Sequence, residues 1–116
     1  MNLSVYLKTA ATLFFVDLFW LGTGGIFGRD MIERIQGEAI SVRFLSAVLV
    51  YFFLAYMLLQ TSSYQQAFAY GLCMYGMYEA TNHAIFERYD WKFAIADTVW
   101  GGILFMSARY LLKNVF

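Results

Sequence analysis

The residues most able to do chemistry in this sequence are three acids, each inside a long apolar run. Asp17, Glu79 and Asp97 lie in segments that are otherwise almost free of charge. Asn82 and the single histidine, His83, follow Glu79 within about one helical turn. Acids within membrane spans normally face a bundle interior or a wet cavity, because facing lipid is costly. These five residues are therefore the candidate site for a proton, a cation or a small cationic solute.

Two of the acids share a local pattern with tryptophan. Asp17-x-x-Trp20 and Asp97-x-x-Trp100 each precede a glycine within two residues. Their helices are expected to run in opposite directions, so the two motifs would be related by an inverted symmetry. Small transporters use such symmetry to build binding sites near the middle of the membrane. The indole N–H groups can donate hydrogen bonds to the acids. Further polar neighbours of the acids are Thr81 and Thr98.

The acids have no basic partner within the apolar runs. Three like charges at one depth cannot all stay ionised cheaply without a cation. Three solutions are open: one or more acids are protonated, a basic side chain reaches inward from the membrane edge, or a metal ion or proton is bound. Arg43 is the best-placed counter-charge. A purely structural role is also open, in which the acids are latches that hydrogen-bond neighbouring helices.

Composition indicates a membrane protein. Of the 116 residues, 61% are apolar and only 14% are charged, which is too little polar surface for a small soluble domain. The formal net charge is zero, so the sequence lacks the excess of basic residues that is typical of nucleic-acid-binding proteins. Cys73 is the one cysteine, so no intrachain disulfide can form. No phosphate loop, nucleophile elbow or paired-cysteine metal site is present, and we predict no enzyme, no cofactor and no dedicated metal site.

Four apolar segments are each close to the roughly 20 residues that span a bilayer. The predicted fold is an all-α bundle of four transmembrane helices, forming one integral membrane domain over residues 1–116. The predicted spans cover residues 5–27, 43–61, 65–86 and 92–112. By the rise of 1.5 Å per residue, all three acids fall in one layer, about 20 Å from the side that holds the termini.

The connections between the spans carry their own signals. Residues 28–43 have apolar side chains at helical spacing, which predicts a short interfacial helix between helices one and two, with a solvated loop as the alternative. The glycines at 22, 24 and 25 mark either a break in helix one or close packing. The polar turn at residues 61–63 predicts that helices two and three are antiparallel neighbours. Tyr89 and Trp91 fit an interfacial aromatic belt.

Basic residues suggest an orientation. Five of them lie on the side opposite the termini and three lie on the side of the termini. The positive-inside rule then places the termini on the non-cytoplasmic side.

The chain resembles domain-of-unknown-function family 2177, a family of small predicted bacterial membrane proteins, over nearly its whole length. The motifs behind this resemblance are Phe14-x-x-Asp17-x-x-Trp20-Leu21, Tyr78-Glu79-Ala80-Thr81-Asn82 and Asp97-x-x-Trp100-Gly101. The family commonly has aspartate where this chain has Glu79. The resemblance implies four transmembrane helices, a bacterial inner membrane and no established activity.

Two functions fit these observations. The first is a transporter or channel-like protein for a proton, cation or small cationic solute, with the three acids as counter-charges. The second is a non-enzymatic accessory or scaffold subunit of a larger membrane complex, with the acids as interhelical latches. Because four helices enclose little space, we expect a homo-oligomer or a larger complex in the lipid bilayer.

Overall fold

The computed structural model describes residues 2–116, which form five α-helices and no strand. The helices are α1 (Leu3–Leu21), α2 (Gly25–Gln36), α3 (Phe44–Leu59), α4 (Tyr64–Ile85) and α5 (Trp91–Asn114). The all-α prediction is confirmed. Helices α3, α4 and α5 begin and end within two residues of the predicted spans 43–61, 65–86 and 92–112.

Polar residues at the borders of the apolar runs define where three helices begin. The side chains of Asn2, Ser63 and Asp90 accept hydrogen bonds from backbone N–H groups in the first turns of α1, α4 and α5. These N–H groups have no partner within the helix, so a side-chain cap stabilises the first turn.

The glycine cluster ends the first helix, so of the two predicted roles for these glycines the structure has the break, and residues 5–27 are divided between two helices. Helix α1 ends at Leu21, a turn follows, and α2 begins at Gly25. The Trp20 side chain packs over this turn, and a Cβ atom at Gly24 would overlap its ring. A Cβ at Gly25 would lie 2.8 Å from the Trp20 carbonyl oxygen. Glycine therefore lets the chain turn closely beneath Trp20.

Helix α5 is the centre of the bundle and packs closely on α4. A Cβ at Gly71 would overlap the carbonyl oxygen of Gly101, and a Cβ at Gly101 would overlap that of Gly71. The two backbones thus touch, as small residues allow in membrane helix pairs. Lys8 in α1 donates to the Phe116 carbonyl oxygen at 2.7 Å, so α1 and α5 run antiparallel with their termini at one end.

Helices α3 and α4 separate after the turn that joins them. The prediction that they are close antiparallel neighbours holds only near this turn, because α3 packs mainly on α1 and α4 packs mainly on α5. Arg109 ties the turn to α5 by donating to the carbonyl oxygen and hydroxyl of Thr61, at 3.0 and 3.2 Å. The separation leaves a cleft between α3 and α4.

The outer surface of the bundle is strongly apolar. Phe15, Phe19, Phe44 and Phe53 are each at least 66% exposed, while the interior contains buried acids and threonines. Large exposed apolar surfaces mark contact with a membrane or another protein. Within residues 2–116, α1 is the one helix both long and apolar enough to cross a membrane by length and composition, and α3 is apolar but shorter.

Helix α2 is the predicted short helix between the first two long helices. Its Gly28 lies against the Phe93 ring, and Met31 packs with Tyr89 and Ala94 at the start of α5. It ends at Gly37, whose φ of 81° is the left-handed conformation that glycine adopts without strain. One face of α2 is therefore held against the protein. Its location at a membrane interface stays a prediction.

Candidate functional site

The two Asp-x-x-Trp motifs bind each other reciprocally. Trp100 Nε1 donates to Asp17 Oδ1 at 2.8 Å, and Trp20 Nε1 donates to Asp97 Oδ1 at 2.8 Å. The two indoles stack with centroids 5.6 Å apart and planes 13° apart. Residues three apart share a helix face, so two antiparallel helices with the same motif can exchange tryptophans in this way. The two motifs thus form what is here called the crossed pair, in which the tryptophan of each motif donates to the aspartate of the other.

Asp17 has a donor for each carboxylate oxygen. In addition to the Trp100 bond, Tyr51 Oη donates to Oδ2 at 2.6 Å. The Tyr51 ring packs edge-on against Phe14 at 5.2 Å, which fixes its direction. Asp17 is 5% exposed and connects α1, α3 and α5. Its geometry suits a latch between three helices.

Glu79 is 1% exposed and is held by a tyrosine from the loop before α5. Tyr89 Oη lies 2.7 and 2.9 Å from the two carboxylate oxygens, and Asn82 Nδ2 donates to Tyr89 Oη at 3.4 Å. Burial and the hydrogen bond to Glu79 raise the pKa of Tyr89, so its hydroxyl keeps its proton and donates. The predicted place of Tyr89 in an interfacial belt is corrected, because its side chain is only 5% exposed.

Glu79 and Asp97 lie close enough to interact electrostatically. Two carboxyl groups can share a hydrogen bond only when one of them has a proton. Within residues 2–116, Asp97 receives one hydrogen bond from a neutral donor, from Trp20 to Oδ1, and its Oδ2 receives none from an N–H or hydroxyl group. This pair can therefore hold one proton and one negative charge.

All three acids line one cavity of about 430 Å³, here called the acid cavity. Its volume is in the range of small-molecule sites. Helix α2 and the segment after it close one side of the cavity. The other lining residues are Trp20, Leu21, Gly25, Gly28, Arg29, Ile32, Ile40, Val42, Tyr75, Tyr78, Tyr89 and Phe93.

The basic residue at the acid cavity is Arg29 rather than Arg43. Arg43 precedes α3, is exposed, and forms no ion pair with an acid within residues 2–116. Arg29 lines the cavity, with its side chain 60% exposed and 3.9 Å from Asp30. Arg29 takes the place predicted for Arg43 because α2 begins directly after the turn at the end of α1. Its residues Gly25, Gly28, Arg29 and Ile32 share one helix face, and this face lines the cavity.

The other predicted site residues lie apart from this centre. The hydroxyls of Thr81 and Thr98 donate to carbonyl oxygens one turn earlier in their own helices, Met77 O and Ala94 O, each at 2.7 Å. His83 is exposed and lines a separate shallow cavity with Thr98, which Glu79 also reaches. Asn82 contacts the site through Tyr89, to whose hydroxyl its amide donates.

Tyrosines are the functional residues that sequence reasoning missed. Tyr75, Tyr78, Glu79 and Asn82 have the i, i+3, i+4, i+7 spacing of one helix face, a signal that was available in the sequence. Tyr51 gave no such signal, since it lies among uniformly apolar residues of α3. No group of three or more His, Cys, Asp or Glu residues suited to a metal ion was found between residues 2 and 116.

Comparison with known proteins gives one match. The chain matches the sequence model of the family described as "Predicted membrane protein (DUF2177)" over residues 2–111. The resemblance deduced from the three motifs is thereby confirmed. No curated protein and no solved structure matches the chain.

Proposed function

Because the chain belongs to the DUF2177 family of predicted membrane proteins, we propose that it crosses a bilayer with α1, α3, α4 and α5 and moves a proton or small cation through its acid cavity. The four helices have 16 to 24 residues, which corresponds to about 24 to 36 Å along their axes. Their exposed faces are rich in phenylalanine, leucine and isoleucine. Polar connections join them at both ends.

The observation that supports this function is the uncompensated charge of the Glu79–Asp97 pair. Both side chains are more than nine-tenths buried, and Arg29 at the cavity edge is mostly exposed. A buried carboxylate without a cation is unfavourable, so the site favours taking up a proton or another cation. Such intramembrane acids are typical of ion and proton pathways.

The membrane and the direction of the chain belong to the same proposal. Basic residues are more numerous at the end of the bundle that holds α2 and the loop before α5. This distribution favours a cytoplasmic location for that end and a non-cytoplasmic location for both termini. A bacterial inner membrane fits the short loops and the apolar outer surface.

A second candidate function rests on Asp17. Both of its oxygens are already bonded, and the crossed tryptophans fasten α1 to α5. A bundle fastened in this way suits an accessory or scaffold subunit that presents its aromatic outer faces to a partner within the membrane, either a second copy or a larger complex.

Flux in liposomes distinguishes the two functions. Purified protein would be reconstituted with a pH-sensitive dye inside, and a proton or alkali-cation gradient would be applied. We expect flux above empty liposomes, and its loss in the Asp17→Asn, Asp97→Asn double variant and in the Asp97→Asn single variant. Glu87→Gln, the same kind of change at an exposed loop acid, should leave the flux unchanged.

Thermal unfolding in detergent would show that each variant is folded. Wild-type flux no greater than that of empty liposomes, with protein that is folded and inserted, would reject transport and favour the accessory function.

A further inference from the structure

A mainly apolar groove lies next to the acid cavity. A groove of about 410 Å³, here called the lateral groove, runs between α3 and α4 where these helices separate. Its walls are Val50, Phe53 and Leu54 from α3 and Met74 from α4, together with three residues that it shares with the acid cavity. Val50 is 50% exposed and Phe53 is 66% exposed, so the groove opens on the outer face of the bundle.

The three shared residues join the two spaces. Tyr75, Tyr78 and Asp97 line both the lateral groove and the acid cavity. Asp97 is the only charged residue in the wall of the groove within the described part of the chain. It is 8% exposed, and its Oδ2 has no N–H or hydroxyl donor among residues 2–116. An apolar entrance thus ends at a buried carboxylate that lacks a cation.

We propose that this site binds a hydrophobic organic cation, with its apolar body in the lateral groove and its positive nitrogen or phosphorus centre at Asp97. The inference rests on the proposed function, since it names the class of cation that the acid cavity takes. The charge of the ligand complements the buried carboxyl groups of Asp97 and Glu79. The faces of Tyr75 and Tyr78 add cation–π attraction. In the proposed membrane arrangement the groove faces lipid, so the ligand enters sideways from the bilayer.

Charged and polar groups from three helices and one loop line the acid cavity together with Asp97. They are Asp17 and Trp20 from α1, Arg29 from α2, Tyr75, Tyr78 and Glu79 from α4, and Tyr89 from the loop before α5. Arg29 is the one cation among them, and it lines the acid cavity but not the lateral groove. Helix α3 adds only apolar side chains to the wall of the lateral groove. The groove side of Asp97 is therefore free for a ligand cation.

Binding of labelled tetraphenylphosphonium to protein in lipid nanodiscs tests the proposal. Tetramethylammonium provides a charge without an apolar body, and triphenylphosphine oxide provides a similar apolar body without a charge. We expect saturable binding of the labelled compound. Tetramethylammonium and triphenylphosphine oxide should each need a concentration at least about tenfold higher than unlabelled tetraphenylphosphonium to displace it, because the first lacks the apolar body and the second lacks the charge.

Two variants separate the groove from the acid. Asp97→Asn should weaken binding about tenfold or more, since it removes the charged partner. Val50→Trp fills the groove from its exposed wall and should weaken binding to a similar degree, whereas Leu49→Trp, next to it but outside the groove wall, should not. Unchanged binding in folded Val50→Trp would overturn the proposal.

The controls also keep this proposal distinct from the proposed function. If tetramethylammonium binds as tightly as tetraphenylphosphonium and depends on Asp97, the cation site stands and the hydrophobic ligand class is rejected. If neither cation binds to folded wild-type protein, the organic-cation proposal is rejected, while proton or small-cation flux in liposomes decides the proposed function separately.

Discussion

Each aspartate of the crossed pair accepts a hydrogen bond from a tryptophan of the other motif, but the two aspartates have different second partners. Asp17 receives the Tyr51 hydroxyl at its second oxygen, whereas Asp97 faces the Glu79 carboxyl and two cavities. A carboxylate whose hydrogen bonds are complete stabilises a fold, and one with a free oxygen can bind a ligand. We therefore assign the latch to Asp17 and the exchangeable site to Asp97 with Glu79.

Tyr51→Phe tests the latch at the scale of one bond. It removes only the hydroxyl that donates to Asp17 and leaves a buried carboxylate oxygen without a partner. We expect a loss of about 1 to 3 kcal/mol in the free energy of unfolding. Tyr56→Phe, on the same helix with its side chain half-exposed, should change that free energy by less than about 0.5 kcal/mol. Equal stability of the two variants in a reversible unfolding titration would show that Tyr51 contributes nothing to the latch.

At this scale the sequence indicated the acids but not all of their partners. Asp17, Glu79 and Asp97 were identifiable because a charge inside an apolar run is costly wherever it lies. The tryptophans were identifiable as donors from the repeated motif, although the exchange between motifs required the relative position of α1 and α5. Tyr51 could not be identified, because a tyrosine in an apolar helix faces either lipid or a buried acceptor and the pattern does not distinguish these.

At the scale of the helices, the break after α1 has the largest consequence. It turns what reads as the end of a long span into a separate helix, α2, which closes one side of the acid cavity and brings Arg29 to its edge. Helix boundaries elsewhere followed from polar caps and apolar length. The break depended on a tertiary contact, the packing of Trp20 over Gly24 and Gly25, which composition alone does not reveal.

The membrane arrangement predicts which connections share a side. In a Cys73→Ser background, Arg34→Cys in α2 and Glu87→Cys before α5 should react with a membrane-impermeant maleimide from the cytoplasmic side. Ser62→Cys, in the turn between α3 and α4, should react only from the other side; all three positions are exposed. Reaction of Ser62→Cys and Glu87→Cys from the same side would show that α4 does not cross the membrane.

At the scale of the whole molecule, the bundle has a fastened half and an open half. The crossed tryptophans and the touching glycines of α4 and α5 hold α1, α4 and α5 together. Helix α3 contacts α4 only slightly and leaves the lateral groove open. Motion of α2, which closes one side of the acid cavity, would change access to Asp97 without breaking the latch at Asp17. This division makes a cation site compatible with a small and otherwise rigid bundle.

The central claim is that Glu79 and Asp97 form an exchangeable proton site while Asp17 is a fixed latch. The most direct measurement is labelling of the wild-type protein in membranes with dicyclohexylcarbodiimide, which reacts with protonated carboxyl groups in apolar surroundings, followed by peptide mass spectrometry. We predict one label per chain, found on Glu79 in some molecules and on Asp97 in others, and none on Asp17. The variants Glu79→Gln and Asp97→Asn, each of which removes one labelled site, are the controls for this assignment. Labelling of Asp17 as fast as Asp97, or no label on either Glu79 or Asp97 in folded protein, would contradict the account.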